Sequence, residues 1–349
     1  MLKFKIDRLP APTWFRLLIP IFAILVTFIL TSVLVIMAGA NPLLAYYNFL
    51  IVPFTTKISI VEILLKSTPL ILTGLSMVFA FSAGYFSIGA EGQLYAGAIA
   101  AAWIGTVLKG VSPLVGIPLM ILGGFAGGML WAIVPVLLKI KLAVNEVVTT
   151  VLLNMVMAYV VSFLLNGPWR DPVTGWPQSP KIDPGTVFPK LIPNYRLHFG
   201  FIIAILAIVV VWFVLSKTAF GLKLRVVGLG ERTAAFTGIN IGRTILIAAL
   251  VSGGIAGLAG AGEVAGNQLR LVAGLSTDYG YSGVIVATLG ALNPFGAAIS
   301  AVFFGLMNIG SLNVTGLGVP SYLGQVAQAA LLLVTLGMLK LQNFWIKKV

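Results

Sequence analysis

The chain has 349 residues, of which 59% are hydrophobic and 9% are charged. A soluble domain carries about 25% charged residues, so this composition excludes an ordinary soluble protein and indicates that lipid surrounds most of the chain. The absence of cysteine and the single histidine exclude a disulfide framework and leave little material for a metal centre. The net charge of +13 does not indicate nucleic-acid binding, because the basic residues border apolar segments, as expected for cytoplasmic membrane flanks.

The N-terminal segment 1–16 carries four basic residues and is predicted to be cytoplasmic. The first membrane span is predicted at Leu17–Met37. A cleaved signal peptide is the alternative, because Ala38-Gly39-Ala40 resembles a cleavage site. The apolar run is longer than the ~7–15 residues of a signal peptide, which favours a retained helix.

Apolar runs further along the chain predict nine more spans, several of them short or glycine-rich, so that some helices are expected to be broken. The predicted ranges are 60–81, 94–108, 114–138, 147–165, 199–215, 244–264, 282–292, 296–309 and 323–339. The predicted fold is therefore an all-α integral membrane protein with one transmembrane domain over 1–349 and about ten helices.

The distribution of basic residues predicts the orientation. With both termini inside, fourteen of the twenty-two Lys and Arg residues fall in cytoplasmic segments, in agreement with the positive-inside rule. Spans two to five and seven to ten are offset by an odd number of crossings. They are therefore possible inverted repeats, which would place a pathway at their interface.

The largest predicted extracytoplasmic loop is 166–197. Its seven prolines exclude long helices, and Trp169 and Trp176 suit either a docking surface or a membrane interface. A rigid cap without a partner is an equally good interpretation.

Segment 82–93, SAGYFSIGAEGQ, interrupts the apolar sequence with three glycines and places Glu91 and Gln93 beside unwound backbone. Irregular backbone at membrane depth is tolerated where protein or a water-filled cavity surrounds it, so the segment predicts a lining of a substrate pathway. The alternative is an ordinary turn with Glu91 in solvent.

Segment 141–154, KLAVNEVVTTVLLN, predicts a helix with Asn145 as N-cap and Glu146 in its first turn. Asn154 is one of the polar residues that follow, which are expected to bond neighbouring helices or line the path.

Three other carboxylates, Glu62, Glu263 and Asp278, lie near predicted helix ends, where snorkelling to the interface is expected. Acidic residues and histidines form no chain resembling a proton relay.

No P-loop motif occurs in the sequence, so ATP energy would have to come from a partner. The basic loop 217–243 contains GERTAAFTG at 230–238, which predicts one short helix between glycines, with Phe236 suited to a groove on a partner. A solvated connecting loop is the alternative.

GERTAAFTGINIGR, followed by a glycine-rich apolar helix, resembles the cytoplasmic coupling loop of bacterial ABC importer permeases of the ribose and branched-chain amino-acid type. The motifs SAGYFSIGAEGQ, NEVVTTVLLN and DYGYSGVIVATLGALNPFG resemble the simple-sugar and nucleoside subgroup, whose binding lipoproteins are similar to basic membrane protein. The resemblance covers about residues 60 to 340.

The resemblance implies an inner-membrane permease that works with a second permease subunit, ATP-binding cassette subunits and an extracytoplasmic binding protein. ATP would be bound by the partner, and no catalytic residue, metal or cofactor is expected in this chain. The implied coupling residues are Glu231, Arg232, Ala234, Ala235, Phe236, Thr237, Gly238, Ile239 and Asn240. The predicted pathway residues are Phe86, Ser87, Gly89, Glu91, Gln93, Asn145, Glu146, Asn154, Asp278, Tyr279, Tyr281 and Ser282.

The first functional hypothesis is a nucleoside permease, with a ribose- or galactose-type sugar as the alternative cargo. The second is an ATP-independent transporter or channel. A membrane-embedded enzyme is disfavoured, because paired carboxylates, metal ligands and a nucleophile with its base are all missing from the sequence.

Overall fold

The computed structural model describes residues 4–7, 13–341 and 345–348. Apart from two short strands, this part of the chain is helical. The helices are α1 Thr13–Met37, α2 Pro42–Leu50, α3 Lys57–Ser82, α4 Ala90–Val107, α5 Pro113–Leu142, α6 Glu146–Asn166, α7 Gly200–Lys217, α8 Ala219–Leu229, α9 Glu231–Phe236, α10 Ile241–Gly262, α11 Tyr279–Leu289, α12 Pro294–Asn313 and α13 Leu323–Leu341. Strands β1 Phe4–Asp7 and β2 Trp345–Lys348 pair antiparallel.

Each predicted span corresponds to a helix, but the helices differ in their capacity to cross a bilayer. Within the described residues, six helices are long and apolar enough, and a seventh span results if the bent pair Ile21–Met37 and Pro42–Phe54 is counted as one. Helix α11 has 11 residues and is about 16 Å long, too short for a hydrocarbon core of about 30 Å. The prediction of an all-helical membrane protein is confirmed at this level.

The chain divides into two compact units, residues 1–60 with 306–349 and residues 61–305. In the first unit, α1 and α2 meet at an angle of 119°. Asn41 caps α2 by accepting a hydrogen bond from the Leu43 N–H, and Tyr46 Oη donates to the Phe28 carbonyl at 2.7 Å. The turn therefore follows from a side-chain cap and a buried tyrosine bond.

In the second unit, α4, α5 and α10 pack through glycines. A Cβ at Gly97 would overlap the backbone of Gly257, and a Cβ at Gly128 would overlap the backbone of Gly253. Small residues allow helix backbones to approach closely, which is the main route to tight helix packing in lipid. The glycine-rich patterns in α4, α5 and α10 therefore serve helix packing.

Helix α10 continues as a π-helical turn, Glu263–Gln268. Glu263 is 3% exposed, and its carboxylate accepts a hydrogen bond from Asn267 Nδ2 at 2.7 Å. The prediction that Glu263 snorkels to the interface is wrong, because packing around the helix end encloses the side chain. Glu62 is half-buried and pairs with Arg196 at 3.6 Å, whereas Asp278 is exposed.

The loop after α6 contains no helix longer than the three-residue 3₁₀ turn Pro184–Thr186, as its prolines predict. The Asp171 carboxylate accepts hydrogen bonds from Thr174 and from the Val173 N–H, which lower its pKa, and it pairs with Arg270 at 3.5 Å. Burial, with a smaller effect of Arg196, lowers the pKa of His198 to about 4. The loop is thus fixed by its own side chains and by neutral, buried His198.

Candidate translocation site and coupling loop

The backbone between α3 and α4 is unwound over residues 83–89, and α6 supplies side chains that satisfy it. Asn154 Oδ1 accepts a hydrogen bond from the Gly92 N–H at 2.9 Å, and Asn154 Nδ2 donates to the Ile88 carbonyl at 2.8 Å. Thr150 Oγ1 accepts a hydrogen bond from the Ile88 N–H at 3.0 Å. The polar face of α6 therefore replaces helix hydrogen bonds that this backbone lacks.

The same face of α6 continues to its first turn. Asn145 caps the helix, accepting a hydrogen bond from the Val147 N–H at 2.9 Å, as predicted. The Glu146 carboxylate forms an ion pair with Lys139 and also accepts a hydrogen bond from the Phe86 N–H at 3.4 Å. Positions 146, 150 and 154 are one turn apart, so they form a stripe along the whole unwound segment.

Glu91 joins this segment to the first turn of α11. Its Oε2 accepts a hydrogen bond from the Gly280 N–H at 2.7 Å, and a Cβ at Gly280 would overlap the backbone of Glu91. The N-termini of α4 and α11 therefore lie against each other, with a carboxylate next to their partial positive charges. Glu91 is 8% exposed, so the alternative of a solvent-exposed turn residue is wrong.

The junction lies deep in the helix bundle. Asn154 is eight residues from the start of the 21-residue helix α6, or about 12 Å along an axis of about 31 Å. Gly92, which it contacts, is therefore at membrane depth. Helix N-termini that meet at this depth are a typical framework for a substrate site in transporters.

The predicted pathway residues divide into two groups by exposure. The buried group is Ser87, Gly89, Glu91, Gln93, Asn154, Tyr279 and Ser282. Phe86, Asn145 and Asp278 are exposed, and Glu146 and Tyr281 are half-buried. The structure brings Glu91 to the 278–282 turn and both Asn154 and Glu146 to the 86–93 segment, while Asn145 caps the start of α6.

Sequence reasoning missed a second set of contacts around Tyr279. Lys66 Nζ donates to Tyr279 Oη at 3.2 Å, and Thr73 Oγ1 donates to the Tyr279 carbonyl at 2.9 Å. Lys66 lies in the apolar helix α3. An ionisable residue within an apolar run is the signal that could have identified it.

The short helix predicted at 230–238 is present as α9. Gly238 follows it with φ 72°, a left-handed conformation that suits glycine and ends the helix. Asn240 then caps α10 by accepting a hydrogen bond from the Arg243 N–H at 2.9 Å. The unpredicted helix α8 precedes α9, so loop 217–243 is largely helical.

The two faces of α9 differ in burial. Ala234 is fully buried, and Ile239 just after the helix packs on the same apolar cluster. Phe236 is 94% exposed, and Arg232, Ala235 and Thr237 are exposed as well. A helix anchored on one side that presents an aromatic residue on the other has the form of a docking element.

Loop 217–243 touches the unwound segment directly. Ala234 and Tyr85 belong to one buried cluster. A Cβ at Gly228 in α8 would lie 2.5 Å from the Ser82 carbonyl oxygen and 3.2 Å from the Gly84 nitrogen. No side chain separates these backbones, so a displacement of α8 and α9 would move residues 82–85.

A family model described as the permease component of the branched-chain amino-acid transport system matches residues 59–336. The chain belongs to this family. It is therefore a multi-pass transport subunit of an ABC importer in the cell membrane, rather than an enzyme. The family does not support the ATP-independent alternative.

Several curated permeases are similar over most of this chain. A guanosine ABC transporter permease of Bacillus subtilis is 32% identical over 325 residues, covering 91% of this chain and 92% of the relative. A glucose ABC transporter permease of Haloferax volcanii is 31% identical over 337 residues, covering 93% and 88%. A second guanosine permease of Bacillus subtilis is 27% identical over 275 residues, covering 74% and 82%. No solved structure matches the chain.

Proposed function

We propose that this chain is the nucleoside-translocating permease subunit of an ABC importer, driven by an ATPase that docks on α9. The observation that carries the proposal is the close contact between Gly228 and the 82–84 backbone, because it joins the docking element to the pathway. Closure of the ATPase dimer would displace α9, and α8 would transmit that displacement to the unwound segment.

The pathway follows the junction of α4 and α11. Phe86 in the unwound segment is exposed, Tyr281 in the first turn of α11 is half-buried, and Asp278, three residues before Tyr281, is exposed. A nucleobase can stack on such rings, with about 1–3 kcal/mol per base in other proteins. The ribose would bond to neutral polar groups, which predominate here.

The inverted repeat and the orientation belong to the same proposal. The unwound stretch after α3 and the irregular stretch after α10 occupy equivalent places in the two predicted repeats, which supports an inverted relation. The pairing of β1 with β2 supports placing both termini on one side. An even number of crossings, with both termini in the cytoplasm, satisfies these features and the charge distribution.

The partners follow from the surfaces and the relatives. Phe236 would insert into the ATPase, while Val173 and Trp176, exposed at 90% and 69% on the outer loop, would meet the binding protein. One bacterium has two distinct guanosine permeases similar to this chain, which supports a second permease subunit that is a distinct paralogue.

Sequence identity alone does not choose the cargo, because the guanosine and glucose relatives are almost equally similar. The accessible rings of Phe86 and Tyr281 favour a nucleoside, and a simple sugar is the alternative.

The test is uptake of radiolabelled guanosine, ribose and glucose by cells that lack their own carriers and express the chain with its ATPase, paralogue and binding protein. We expect ATP-dependent guanosine uptake that excess adenosine reduces and excess glucose does not. Uptake of a sugar alone would support the alternative cargo, and uptake without the ATPase would contradict the mechanism.

A further inference from the structure

A purely apolar cavity of about 490 Å³ lies among α3, α5, α7, α8 and α10. Every residue lining it is apolar, among them Phe79, Phe125, Val210 and Ile255. Such a lining offers a nucleoside no hydrogen-bond partner, so the cavity does not belong to the pathway. Leu206 and Val210 are both lining residues and more than half exposed, which opens the cavity towards the surface that faces lipid.

A second cavity of about 530 Å³ adjoins the first, because Phe220 and Ile247 line both. The lining of this second cavity includes Lys223, Asn240 and Arg243, and no acidic residue is among its described members. It lies at the start of α10, where the helix dipole adds positive potential. An apolar groove thus leads into a cationic pocket.

The dimensions match one leaflet of a bilayer. The residues that α7 contributes extend from Ile203 to Val214, and those of α10 from Ile247 to Leu258. Each stretch contains twelve residues and extends about 16 Å from its first to its last Cα, while half of the hydrocarbon core is about 15 Å thick. The cationic pocket lies at the end where α7 stops and α10 begins, which is headgroup depth.

We infer that these two cavities form a binding site for one anionic phospholipid of the cytoplasmic leaflet. An acyl chain occupies the apolar cavity, and the phosphate binds between Lys223 and Arg243. Anionic lipids are enriched in that leaflet and attract basic residues near its surface. The inference uses the orientation given under the proposed function, which labelling of the 217–243 loop in sealed vesicles tests separately.

This site lies beside the coupling element, because Thr237, Gly238 and Ile239 line its cationic pocket. A bound lipid would therefore support the C-terminal end of α9 from the membrane side. Phe236 is not among the residues that line the pocket and stays free for the ATPase.

The first experiment is a titration of the purified chain with phosphatidylglycerol, followed by native mass spectrometry, with phosphatidylcholine for comparison. We expect the double variant Lys223→Gln/Arg243→Gln to bind phosphatidylglycerol about 30-fold more weakly, or about 5-fold for each charge removed. The control variant Arg225→Gln/Arg232→Gln removes two exposed charges from the same loop outside the pocket and should bind as wild type does. Equal binding by both double variants would overturn the proposal.

The second experiment tests the apolar cavity. Ala207→Trp fills it without changing charge and should abolish retention of phosphatidylglycerol, whereas Val209→Trp, on the exposed face of the same helix, should not. If Ala207→Trp has no effect and inorganic phosphate displaces the lipid, the pocket binds soluble anions. If the second permease subunit excludes the lipid, the groove is a subunit interface. Either result would overturn the assignment, and neither depends on which solute is transported.

Discussion

The unwound segment at 83–89 and the loop at 217–243 are both breaks between membrane helices. They differ in whether the chain itself provides partners for the groups that each break leaves uncovered. In the unwound segment, Thr150 and Asn154 of the same chain bond the free backbone groups. In the coupling loop, Phe236 and Leu229 remain 94% and 88% exposed. The comparison separates a region whose contacts stabilise the fold from a region whose exposed residues are available for transport function. The first region is complete by itself, and under the proposed function the ATPase completes the second.

The largest expected effect concerns the unwound segment, the first of the two regions compared. Asn154→Leu leaves the Gly92 N–H and the Ile88 carbonyl without partners in a buried site, which costs about 2 to 6 kcal/mol at about 1–3 per group. We expect a clearly lower midpoint of thermal unfolding in detergent. Asn166→Leu, on the exposed end of the same helix, is the control, and an equal loss in both variants would contradict the role given to Asn154.

The next effect concerns function rather than folding. Phe236→Ala removes an interface anchor, and anchors of this kind contribute 2 kcal/mol or more, roughly 30-fold in affinity. We expect loss of ATPase copurification and of uptake with an unchanged unfolding midpoint. Phe163→Ala removes an exposed ring from α6 and should leave both properties intact. Normal transport by the Phe236 variant would show that α9 is not the docking element.

A smaller effect lies where the two regions touch. Gly228→Ala places a methyl group against the Ser82 carbonyl, with an expected cost of about 1–3 kcal/mol. We expect reduced uptake per ATP hydrolysed while the ATPase stays bound. Gly230→Ala meets no atom closer than 3.6 Å and serves as the control. Tight coupling in the Gly228 variant would show that force does not pass through this contact.

The smallest effect concerns the entry to α6. Asn145→Ala removes the N-cap and should cost about 1 kcal/mol of stability, and Asn145→Ser should restore most of it. Both measurements use thermal unfolding. A loss of transport at normal stability would instead place Asn145 in direct contact with the solute.

The helices were predictable because their apolar runs are continuous, and α9 was predictable because glycines bound it: the expected 230–238 corresponds to Glu231–Phe236. Helix α8 was not predicted, because Lys223 and Arg225 made its sequence resemble a loop. The bond from Gly280 to Glu91 joins residues 189 positions apart, and no local pattern contains it. The prediction that Glu263 snorkels to the interface was wrong for the same reason, because its burial depends on parts of the chain that its local sequence does not show.

The glycine contacts among α4, α5 and α10 also determine which sequence changes the chain can accept. At Gly97, Gly128 and Gly257, even a methyl group would collide with the backbone of a neighbouring helix. A saturation library scored for surface expression should therefore be least tolerant there. Side-chain volume, rather than polarity, would be the property that limits variation in this part of the protein.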